Sequence, residues 1–372
     1  MRLAKNLILF MPSIEGGGVE KNLIVIANYL IKKFPKITLI TYDSKFNSKF
    51  DKKINIINYK KNSISTKKYY KYFICLILLI KEYIKERKVL VFTFQANIYV
   101  LLLSLIFRFK TIIRSNSSPT GWSQNIIKKK IFQYFFQKAD EIIVNSFEFK
   151  KLVDKKFNTN CKVIYNPLNK NEIIKLSKKK LNNFNFFKKK QINIINVARL
   201  TDQKDHLTLL RAVNNLKNKI NFNLLIIGYG VNKKKILHFI KKNKLSKKVK
   251  LMRFQENPYK YIIKSDIFIL SSIYEGLPNV LLEAMTLKKI IISSNCQTGP
   301  KEILNNGKYG IMFKPGSVED LERKILNLKN YKTNKMKRLG YNSLRRFDYN
   351  KCNLKYYSLL SKYLQSSIHA SK

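Results

Sequence analysis

The stretch INIINVARLTDQKDHLTLL, Ile192–Leu210, passes from a mostly apolar run through a polar loop into an amphipathic segment. A strand, a polar loop and a long helix, in this order, form the repeating unit of α/β proteins with a parallel sheet. The same order occurs near the first residue, in LILFMPSIEGGGVEKNL, Leu7–Leu23. The two stretches share an order of elements but not their residues. They predict two doubly wound, Rossmann-like domains, each opened by one of the stretches.

Short apolar runs alternate with helical patterns after each opening stretch and predict the other elements. The predicted strands are Lys5–Pro12, Ile37–Tyr42, Ile54–Asn58, Val89–Phe94, Thr111–Arg114, Glu141–Asn145, Lys162–Tyr165, Ile192–Val197, Asn223–Gly228, Val249–Arg253, Ile267–Ser271, Lys289–Ser293 and Gly310–Phe313. The predicted helices include Val19–Phe34, Ile98–Phe107, Asp205–Lys217, Lys233–Lys242 and Asn350–Gln365. The pattern pauses around Asn166-Pro167, the following segment Lys170–Lys190 is polar and lysine-rich, and the pattern then restarts. We expect an N-terminal domain of residues 1–168, a C-terminal domain of residues 169–345, and a C-terminal helix and tail, residues 346–372, that cross back to the first domain.

The chain is long enough for two cores, and its composition is that of a globular protein: of 372 residues, 45% are hydrophobic and 26% charged. The net charge of +52 has two interpretations: a general composition bias toward lysine, or attraction to an anionic partner, which could be nucleic acid, a phospholipid surface or a phosphorylated substrate. The lysine runs are scattered, as on solvated faces, and the aromatic residues fall at core periodicity. We therefore expect no nucleic-acid partner.

The four cysteines, Cys75, Cys161, Cys296 and Cys352, contain no C-x-x-C pair, which indicates a reducing compartment and neither a disulfide framework nor a zinc site. No secretory signal is expected, and the longest uncharged run, at 89–107, is interrupted by polar residues typical of a strand, a turn and a helix. The segment YYKYFICLILLIKEYIKERK at 69–88 is too short in its apolar part to span a bilayer but could lie against one. The prediction is a cytoplasmic protein, peripheral on the inner, anionic face of the cell membrane.

The segment SIYEGLPNVLLEAM, Ser272–Met285, places two carboxylates around the predicted start of a helix. Pro278 suits the first helical position, since its missing N–H group would be unpaired there. The backbone N–H groups that follow would then be free to bind a phosphate; they belong to Asn279, Val280 and Leu281. Glu283 lies one turn deeper on the same helix face, where a carboxylate can accept hydrogen bonds from two ribose hydroxyls.

The segment YEGLPNVLLEAM resembles the Glu, seven residues, Glu signature of retaining glycosyltransferases of family 4, which have the GT-B fold. Other segments resemble the family in the same order along the chain: GGGVEKNLIVIANYL, VIYNPLN, NVARLTDQKDHLTLLRA, LLIIGYG and NCQTGPKEIL. The resemblance spans nearly the whole chain and implies two domains facing across a cleft, the first binding the acceptor and the second the nucleotide-sugar. It is greatest to bacterial transferases that build surface polysaccharide (capsule, lipopolysaccharide, O-antigen) or lipid-linked oligosaccharide.

The resemblance implies a role for each matching residue. Arg199 and Lys204 would hold the two phosphates of the donor, and a guanidinium and an ammonium on one loop suit a diphosphate leaving group. Glu283 would bind the ribose, and Glu275 would contact the transferred sugar and take part in catalysis with the two cations. In the first domain, Gly17 and Gly18 would let the backbone approach the phosphates or the acceptor. Asn116 lies in the region where the family carries a histidine and would contact the sugar or the acceptor.

This chain departs from the family pattern at the first-domain histidine, where IIRSNSSPTGW, at 112–122, carries none. His206, beside the phosphate loop, is expected to be an outward or packing residue. A retaining transfer does not require a general base, because the departing phosphate oxygen can take the proton of the acceptor. No D-x-D pair occurs, so the fixed cations would replace a metal, and we expect no metal and no cofactor.

The sequence therefore predicts a metal-independent, retaining glycosyltransferase that moves a sugar from a nucleotide-sugar, a UDP-sugar being favoured, to a growing glycan that could be linked to a polyprenyl diphosphate. A sugar-nucleotide epimerase of the same build is the alternative, although such an enzyme needs acid and base side chains around the sugar. A non-catalytic relative that accompanies an active transferase is a further alternative, against which the intact set of charged residues argues.

Overall fold

The computed structural model describes residues 6–59, 67–116, 125–181 and 184–366. The chain divides into two compact units: residues up to Pro167 together with those from Tyr349 onward form the first unit, and Leu168–Asp348 form the second. Each unit is an α/β unit with one parallel sheet. Two doubly wound domains were predicted from the sequence, and this prediction is confirmed.

The first unit contains a seven-stranded sheet in the order β3-β2-β1-β4-β5-β6-β7. Its strands are β1 (Asn6–Phe10), β2 (Ile37–Ile40), β3 (Asn55–Ile57), β4 (Val89–Thr93), β5 (Lys110–Arg114), β6 (Glu141–Val144) and β7 (Lys162–Val163). Its helices are α1 (Gly18–Leu30), α2 (Lys68–Lys85), α3 (Asn97–Phe107), α4 (Ile126–Gln137), α5 (Phe147–Phe157) and α14 (Tyr349–Ser366).

Alternation along the central strands assigns the helices of the first unit to two layers. Leu7 and Leu9 of β1 point toward the core that α1 and α14 cover, whereas Ile8 and Phe10 point toward α2 and α3. Because both faces of β1 are covered, all five of its residues are buried, and the four from Leu7 to Phe10 form a continuous apolar run. Such a run is the clearest strand signal in the sequence.

The second unit contains a six-stranded sheet in the order β10-β9-β8-β11-β12-β13. Its strands are β8 (Ile192–Val197), β9 (Phe222–Ile227), β10 (Val249–Met252), β11 (Ile267–Leu270), β12 (Ile290–Ser294) and β13 (Ile311–Phe313). Its helices are α6 (Lys170–Ser177), α7 (His206–Leu216), α8 (Lys233–Lys242), α9 (Tyr259–Ile262), α10 (Asn279–Thr286), α11 (Pro300–Ile303), α12 (Val318–Leu326) and α13 (Thr333–Ser343).

The strand order of each sheet reverses direction at one point. In the first unit the reversal lies between β1 and β4, and in the second it lies between β8 and β11. Loops that leave neighbouring strands in opposite directions open a crevice at the carboxyl ends of the strands, and this crevice is the usual ligand site of a doubly wound sheet. The fold therefore predicts one binding edge in each unit.

Two segments test the alternatives that the sequence left open. The uncharged run at 89–107 forms β4 and α3, as predicted, and no helix within the described ranges is long and apolar enough to cross a membrane. The prediction for the lysine-rich segment Lys170–Lys190 was partly wrong, because Lys170–Ser177 forms α6. The helix has only two buried residues, Ile173 and Ser177, so its apolar pattern is hidden among charged residues.

Candidate functional site

The loop after β8 is joined by hydrogen bonds to the loop after β11, across the reversal point of the second sheet. The N–H group of Ile273 donates to the carbonyl of Gln203 at 2.8 Å, and the Gln203 side-chain amide donates to the carbonyl of Tyr274 at 2.9 Å. The Ser271 hydroxyl donates to the carbonyl of Lys204 at 2.9 Å. These three bonds fix the predicted phosphate loop relative to the loop that carries Glu275.

Lys204 and Glu275 form an ion pair at this edge, with 2.5 Å between the Lys204 Nζ and the Glu275 Oε1. Their side chains are only 14% and 6% exposed, so the pair is largely shielded from water. The same carboxylate oxygen accepts a hydrogen bond from the Ser272 hydroxyl at 2.6 Å, and the Thr298 hydroxyl donates to the Glu275 carbonyl at 2.5 Å. The structure thus brings together two of the predicted site residues and fixes their positions from three loops.

The loop after β12 closes on this site through a glycine. Gly299 has a φ of +52°, and a Cβ atom there would lie 1.8 Å from the carbonyl oxygen of Gly276. Any larger residue would push the two loops apart. Close by, burial and the neighbouring Glu275 raise the pKa of the Cys296 thiol to about 12, so this thiol is neutral at neutral pH and is a poor nucleophile.

Arg199 lies on the same loop as Lys204 but is exposed. Its carbonyl accepts a hydrogen bond from the N–H group of Thr201 at 3.0 Å, and its guanidinium has no partner among the described residues. A guanidinium is permanently charged and offers five N–H donors. Arg199 and Lys204 therefore place one uncommitted and one carboxylate-paired cation on a single loop.

Glu283 lies on α10 and is 5% exposed. Its Oε1 accepts a hydrogen bond from the hydroxyl of Tyr259, the first residue of α9, at 3.2 Å. Two predictions about the start of α10 need correction. Pro278 is the N-cap with ψ 104°, so the helix begins one residue later, at Asn279. The N–H group of Leu281 donates to the Pro278 carbonyl at 3.1 Å and is not available to a phosphate.

His206 is the first residue of α7 and is 2% exposed, which makes it a packing residue. Both ring nitrogens lack a hydrogen-bond partner among the described residues. Burial, with a smaller contribution from Lys204, lowers the pKa of the His206 imidazole to about 4. The imidazole is therefore neutral at physiological pH and adds no charge beside the Lys204 ammonium.

In the first unit, the loop after β1 contains the glycine triplet. Gly16 has a φ of +88°, and Gly17 is the N-cap of α1 with a φ of −78°. A Cβ atom on Gly17 would lie 2.7 Å from a carboxylate oxygen of Glu20. Gly18 is the first residue of the helix. The left-handed backbone that favours glycine therefore occurs at Gly16, one residue before the predicted pair.

The same edge of the first unit carries a second lysine–carboxylate pair. The Lys71 ammonium on α2 donates to both oxygens of Asp43, at 2.9 and 3.0 Å. Asp43 also accepts a hydrogen bond from the N–H group of Ile14 at 2.9 Å, and the N–H group of Ser13 donates to the Gln95 side chain at 3.1 Å. These contacts hold the start of the glycine loop against the segments that follow β2 and β4.

Asn116 follows β5 and uses its amide inside the protein. Its Nδ2 donates to the carbonyl of Phe94 at 2.9 Å, and its Oδ1 accepts a hydrogen bond from Arg114. The Arg114 guanidinium is fully buried and also donates to Tyr356 of α14 at 3.0 Å and to Asn166 at 2.5 Å. Asn116 therefore orients a buried cation, and its contact with an acceptor stays a prediction.

Sequence reasoning missed residues that complete both edges. Ser272 and Thr298 hold Glu275, Tyr259 contacts Glu283, and Lys71 pairs with Asp43. A serine three residues before the glutamate is a weak signal, and the other contacts depend on sheet order.

Within the described ranges, no group of three or more histidine, cysteine or acidic residues is arranged to hold a metal ion.

Residues 177–346 match the family model of glycosyl transferases group 1. The chain is 34% identical over 258 residues to an uncharacterized glycosyltransferase of Methanocaldococcus jannaschii, covering 61% of this chain and 63% of the relative. It is 29% identical over 224 residues to the N-acetylgalactosamine-N,N'-diacetylbacillosaminyl-diphospho-undecaprenol 4-alpha-N-acetylgalactosaminyltransferase of Campylobacter jejuni, covering 58% and 59%. It is 30% identical over 230 residues to the amylovoran biosynthesis glycosyltransferase of Erwinia amylovora, covering 60% and 63%. The alignments thus span about three fifths of the length of these relatives.

Solved structures share the fold over almost the whole chain. HepE of Anabaena in complex with UDP-glucose has a TM-score of 0.78 at 19% identity, covering 96% of this chain and 99% of that protein. The sucrose-phosphate synthase of Thermosynechococcus elongatus has a TM-score of 0.81 at 15% identity, covering 97% and 100%. These structures confirm the GT-B fold that the sequence predicts, and the family model and the curated relatives confirm the predicted resemblance to glycosyltransferases.

Proposed function

We propose that the chain is a retaining glycosyltransferase that moves a sugar from a UDP-sugar to a growing surface glycan carried on a polyprenyl diphosphate. The observation that carries this proposal is the shielded Lys204–Glu275 ion pair at the reversal point of the second sheet. This pair lies within the segment that matches the glycosyl transferases group 1 family. The Lys204 ammonium of this pair suits the phosphate of a leaving group, and the Glu275 carboxylate suits the hydroxyl groups of a sugar.

The donor diphosphate binds to Arg199 and Lys204. A shielded lysine that loses its carboxylate needs another anion, since an uncompensated buried charge costs about 3–5 kcal/mol. A diphosphate oxygen supplies that anion and frees Glu275 for the hydroxyls of the sugar. Arg199, which is exposed and lacks a partner among the described residues, takes the second phosphate. The two cations then face the charge that grows on the leaving group in the transition state.

The ribose binds to Glu283. An ionised carboxylate offers about four acceptor positions, and the Tyr259 hydroxyl uses one of them. The hydrogen bond from Tyr259 fixes the carboxylate on α10, so less side-chain entropy is lost when the ribose hydroxyls bind. Burial of Glu283 strengthens these bonds relative to bonds made in water.

The transfer occurs on one face of the sugar. The bond between the anomeric carbon and the donor phosphate oxygen breaks, and the acceptor hydroxyl oxygen forms its bond to the anomeric carbon from the same side. The acceptor proton passes to the departing phosphate oxygen. Lys204 and Arg199 stabilise the leaving diphosphate, and Glu275 lies beside the oxocarbenium-like sugar. His206 takes no part, because its imidazole is buried and neutral.

The names of two related proteins support the choice of substrates. The Campylobacter relative is named for a sugar acceptor on diphospho-undecaprenol, and the Anabaena structure contains UDP-glucose. A lipid-linked glycan and a UDP-sugar are therefore the first substrates to test.

The decisive experiment is a thermal-shift screen of nucleotide-sugars, because a ligand that binds only the folded state raises the melting temperature. We expect a UDP-sugar to raise the melting temperature, and Glu283→Ala to lose most of that shift. Incubation with the same UDP-sugar and a lipid-linked acceptor should give a product whose anomeric configuration, measured by NMR, equals that of the donor. Conversion of the UDP-sugar without acceptor would instead indicate the epimerase, and inversion would exclude the retaining mechanism.

Metal independence belongs to the same proposal, because the two cations, Arg199 and Lys204, would balance the charge of the diphosphate. Turnover should be unchanged after treatment with EDTA. A loss of turnover that added magnesium or manganese restores would show that the cations do not replace a metal.

The acceptor is reached at a membrane surface that we assign to helices α2, α3 and α4. These neighbouring helices expose large apolar side chains: Tyr69, Tyr70, Phe73, Ile84, Tyr99, Leu102, Leu105, Ile106, Ile126, Ile127, Ile131 and Tyr134. Exposed apolar side chains and nearby lysines suit the headgroup region of an anionic bilayer, to which each well-placed lysine contributes about 1 kcal/mol.

Flotation with anionic vesicles tests this surface. The variant Phe73→Ser, Ile106→Ser, Ile127→Ser should lose binding. The matched control Val231→Ser, Leu237→Ser, Leu354→Ser removes three exposed apolar residues elsewhere and should keep it. Equal binding by both variants would exclude α2, α3 and α4 as the membrane surface.

A further inference from the structure

A cavity of about 800 Å³ lies in the second unit, away from the donor loops. Its lining comes largely from the ends of α6, α9 and α10 and the residues that follow them. Because α10 begins at the carboxyl ends of the strands and runs back along the sheet, its last residue, Thr286, lies toward the opposite edge. The cavity is therefore distinct from the site around Lys204 and Glu275.

Six lysines line the cavity, and none of its lining residues is acidic. The lysines are Lys178, Lys179, Lys180, Lys260, Lys264 and Lys288. Between them lie apolar side chains and one aromatic ring: Ile174, Leu181, Ile263, Leu287 and Tyr341. Positive charge thus surrounds a partly apolar interior.

The carbonyl ends of helices at the cavity offset part of this positive charge. The carbonyl ends of α6 and α10 carry partial negative charge, which lies close to the six lysines. Among the described residues, the lining carries no carboxylate that would balance the rest. Such a group of like charges is stabilised by an anion.

One of these cations is positioned by the fold. Lys288 has a φ of +53°, a backbone conformation that is costly for a residue with a side chain. Its N–H group donates to the carbonyl of Met285 at 3.0 Å, which caps α10. Its ammonium lies 5.1 Å from the ring centroid of Tyr341, and the ammonium of Lys170 lies 5.2 Å from the same centroid. Lys288 is thereby held at the wall of the cavity.

We propose that this cavity binds a phosphate ester that has an apolar portion, at a site separate from the nucleotide-sugar. Lysine ammonium groups hold the phosphate oxygens as point charges, and the apolar lining takes the carbon chain or ring. A soluble phosphate ester and the headgroup region of an anionic lipid share this chemistry. The inference does not depend on the identity of the glycosyl donor.

The test uses the full-length protein and calorimetric titration with dihexanoyl phosphatidic acid below its micelle concentration. The variant Lys179→Ala, Lys264→Ala, Lys288→Ala removes one lysine from the end of each of the three helices and should weaken binding at least tenfold. The matched control Lys241→Ala, Lys242→Ala, Lys247→Ala removes the same charge from exposed positions and should bind like the unaltered chain.

Two further ligands distinguish a soluble phosphate ester from a lipid headgroup and control for non-specific binding. Binding of inorganic diphosphate that the cavity variant weakens and the control keeps shows that the phosphate alone suffices, whereas such an effect with phosphatidic acid alone indicates a lipid. Dihexanoyl phosphatidylcholine should not bind. UDP should bind equally to both triple variants. A titration with UDP therefore tests the proposed donor site independently of the cavity. The inference is overturned if none of the anionic probes binds, or if the control loses as much affinity as the cavity variant.

Discussion

The two units carry the same kind of ion pair at the same edge of the sheet, but the pairs differ in what else they hold. In the second unit, Lys204 and Glu275 both lie in loops, and hydroxyl groups hold the glutamate. In the first unit, Lys71 comes from a helix, and Asp43 also accepts a hydrogen bond from the backbone of Ile14. The first-unit aspartate thus orders a loop, whereas the second-unit lysine is the one that we propose to exchange its carboxylate for a phosphate.

This difference teaches that an ion pair near a binding edge is not by itself a catalytic feature. The partners around it decide its role. Asp43 also accepts a backbone hydrogen bond and is part of the scaffold. Ser271 instead fixes Lys204 through its backbone carbonyl, so the Lys204 ammonium has only Glu275 as its ion-pair partner among the described residues. The following substitutions separate these two roles.

The largest effect is expected for Lys204→Ala. Loss of a fixed donor to the leaving group should lower kcat/KM about 10²–10³-fold. The free energy of unfolding should also fall, by about 3–5 kcal/mol, because Glu275 is left as a shielded carboxylate without its partner. Steady-state kinetics on the transfer reaction measure this. Lys71→Ala is the matched control and should lower kcat/KM less than tenfold. An equal loss in both variants would contradict the distinction between the two pairs.

The next largest effect concerns His206, beside the donor pair, and appears in stability. The pKa of its imidazole is lowered to about 4 in the folded protein, against about 6.5 when unfolded. As the pH falls from 6.5 toward 4, the His206 imidazole takes up a proton in the unfolded state but stays neutral in the folded state. The free energy of unfolding should therefore fall by about 3 kcal/mol over this range from this group.

His206→Leu should remove this contribution and leave a flatter acid limb in urea unfolding measured between pH 4 and 7. His238→Leu serves as the control, because the side chain of His238 is exposed. An unchanged acid limb in His206→Leu would show that the imidazole does not titrate between these states.

A smaller effect on stability is expected in the first unit. Asp43→Asn keeps the shape of the side chain but removes the charge that pairs with Lys71, and should lower the free energy of unfolding by about 1–3 kcal/mol because the partner is only 11% exposed. Urea unfolding at pH 7 measures this. UDP affinity should be unaltered, and a large loss of UDP affinity would instead assign Asp43 a direct role in binding.

The smallest effect is expected for Tyr259→Phe, which removes the hydroxyl that donates to Glu283. The loss of one hydrogen bond that orients a carboxylate should weaken UDP binding about 3–10-fold, or about 0.5–1.5 kcal/mol. Calorimetric titration measures this. Tyr261→Phe, on the same short helix, is the control and should bind UDP normally.

The fold was predictable because its strands are buried on both faces. Runs such as Ile267–Leu270 are wholly apolar and match the predicted strand within a residue. Helix α6 was missed because six of its eight residues are not buried, and the exposed charges obscured its period. The start of α10 was misplaced by one residue because Pro278 suits either the N-cap or the first helical position.

The sequence could propose candidate residues that lie close together along the chain, Arg199 with Lys204 and Glu275 with Glu283. The roles of these four residues stay predictions. The Lys71–Asp43 pair was not predictable, because its partners meet only through the order of the strands. The hydroxyl groups around Glu275 were missed for the same reason, since a threonine in the loop after β12 gives no sign of its partner.

The division of the chain has a consequence for the order in which the protein folds during synthesis. Leu168–Asp348 is one continuous segment, whereas the first unit is completed only by the helix that starts at Tyr349. Until that helix leaves the ribosome, the side of the first sheet that receives Tyr356 and Leu360 stays uncovered, and Arg114 lacks its phenol partner. The unit made second can therefore mature first, and the nascent N-terminal half is the part that a chaperone would need to protect.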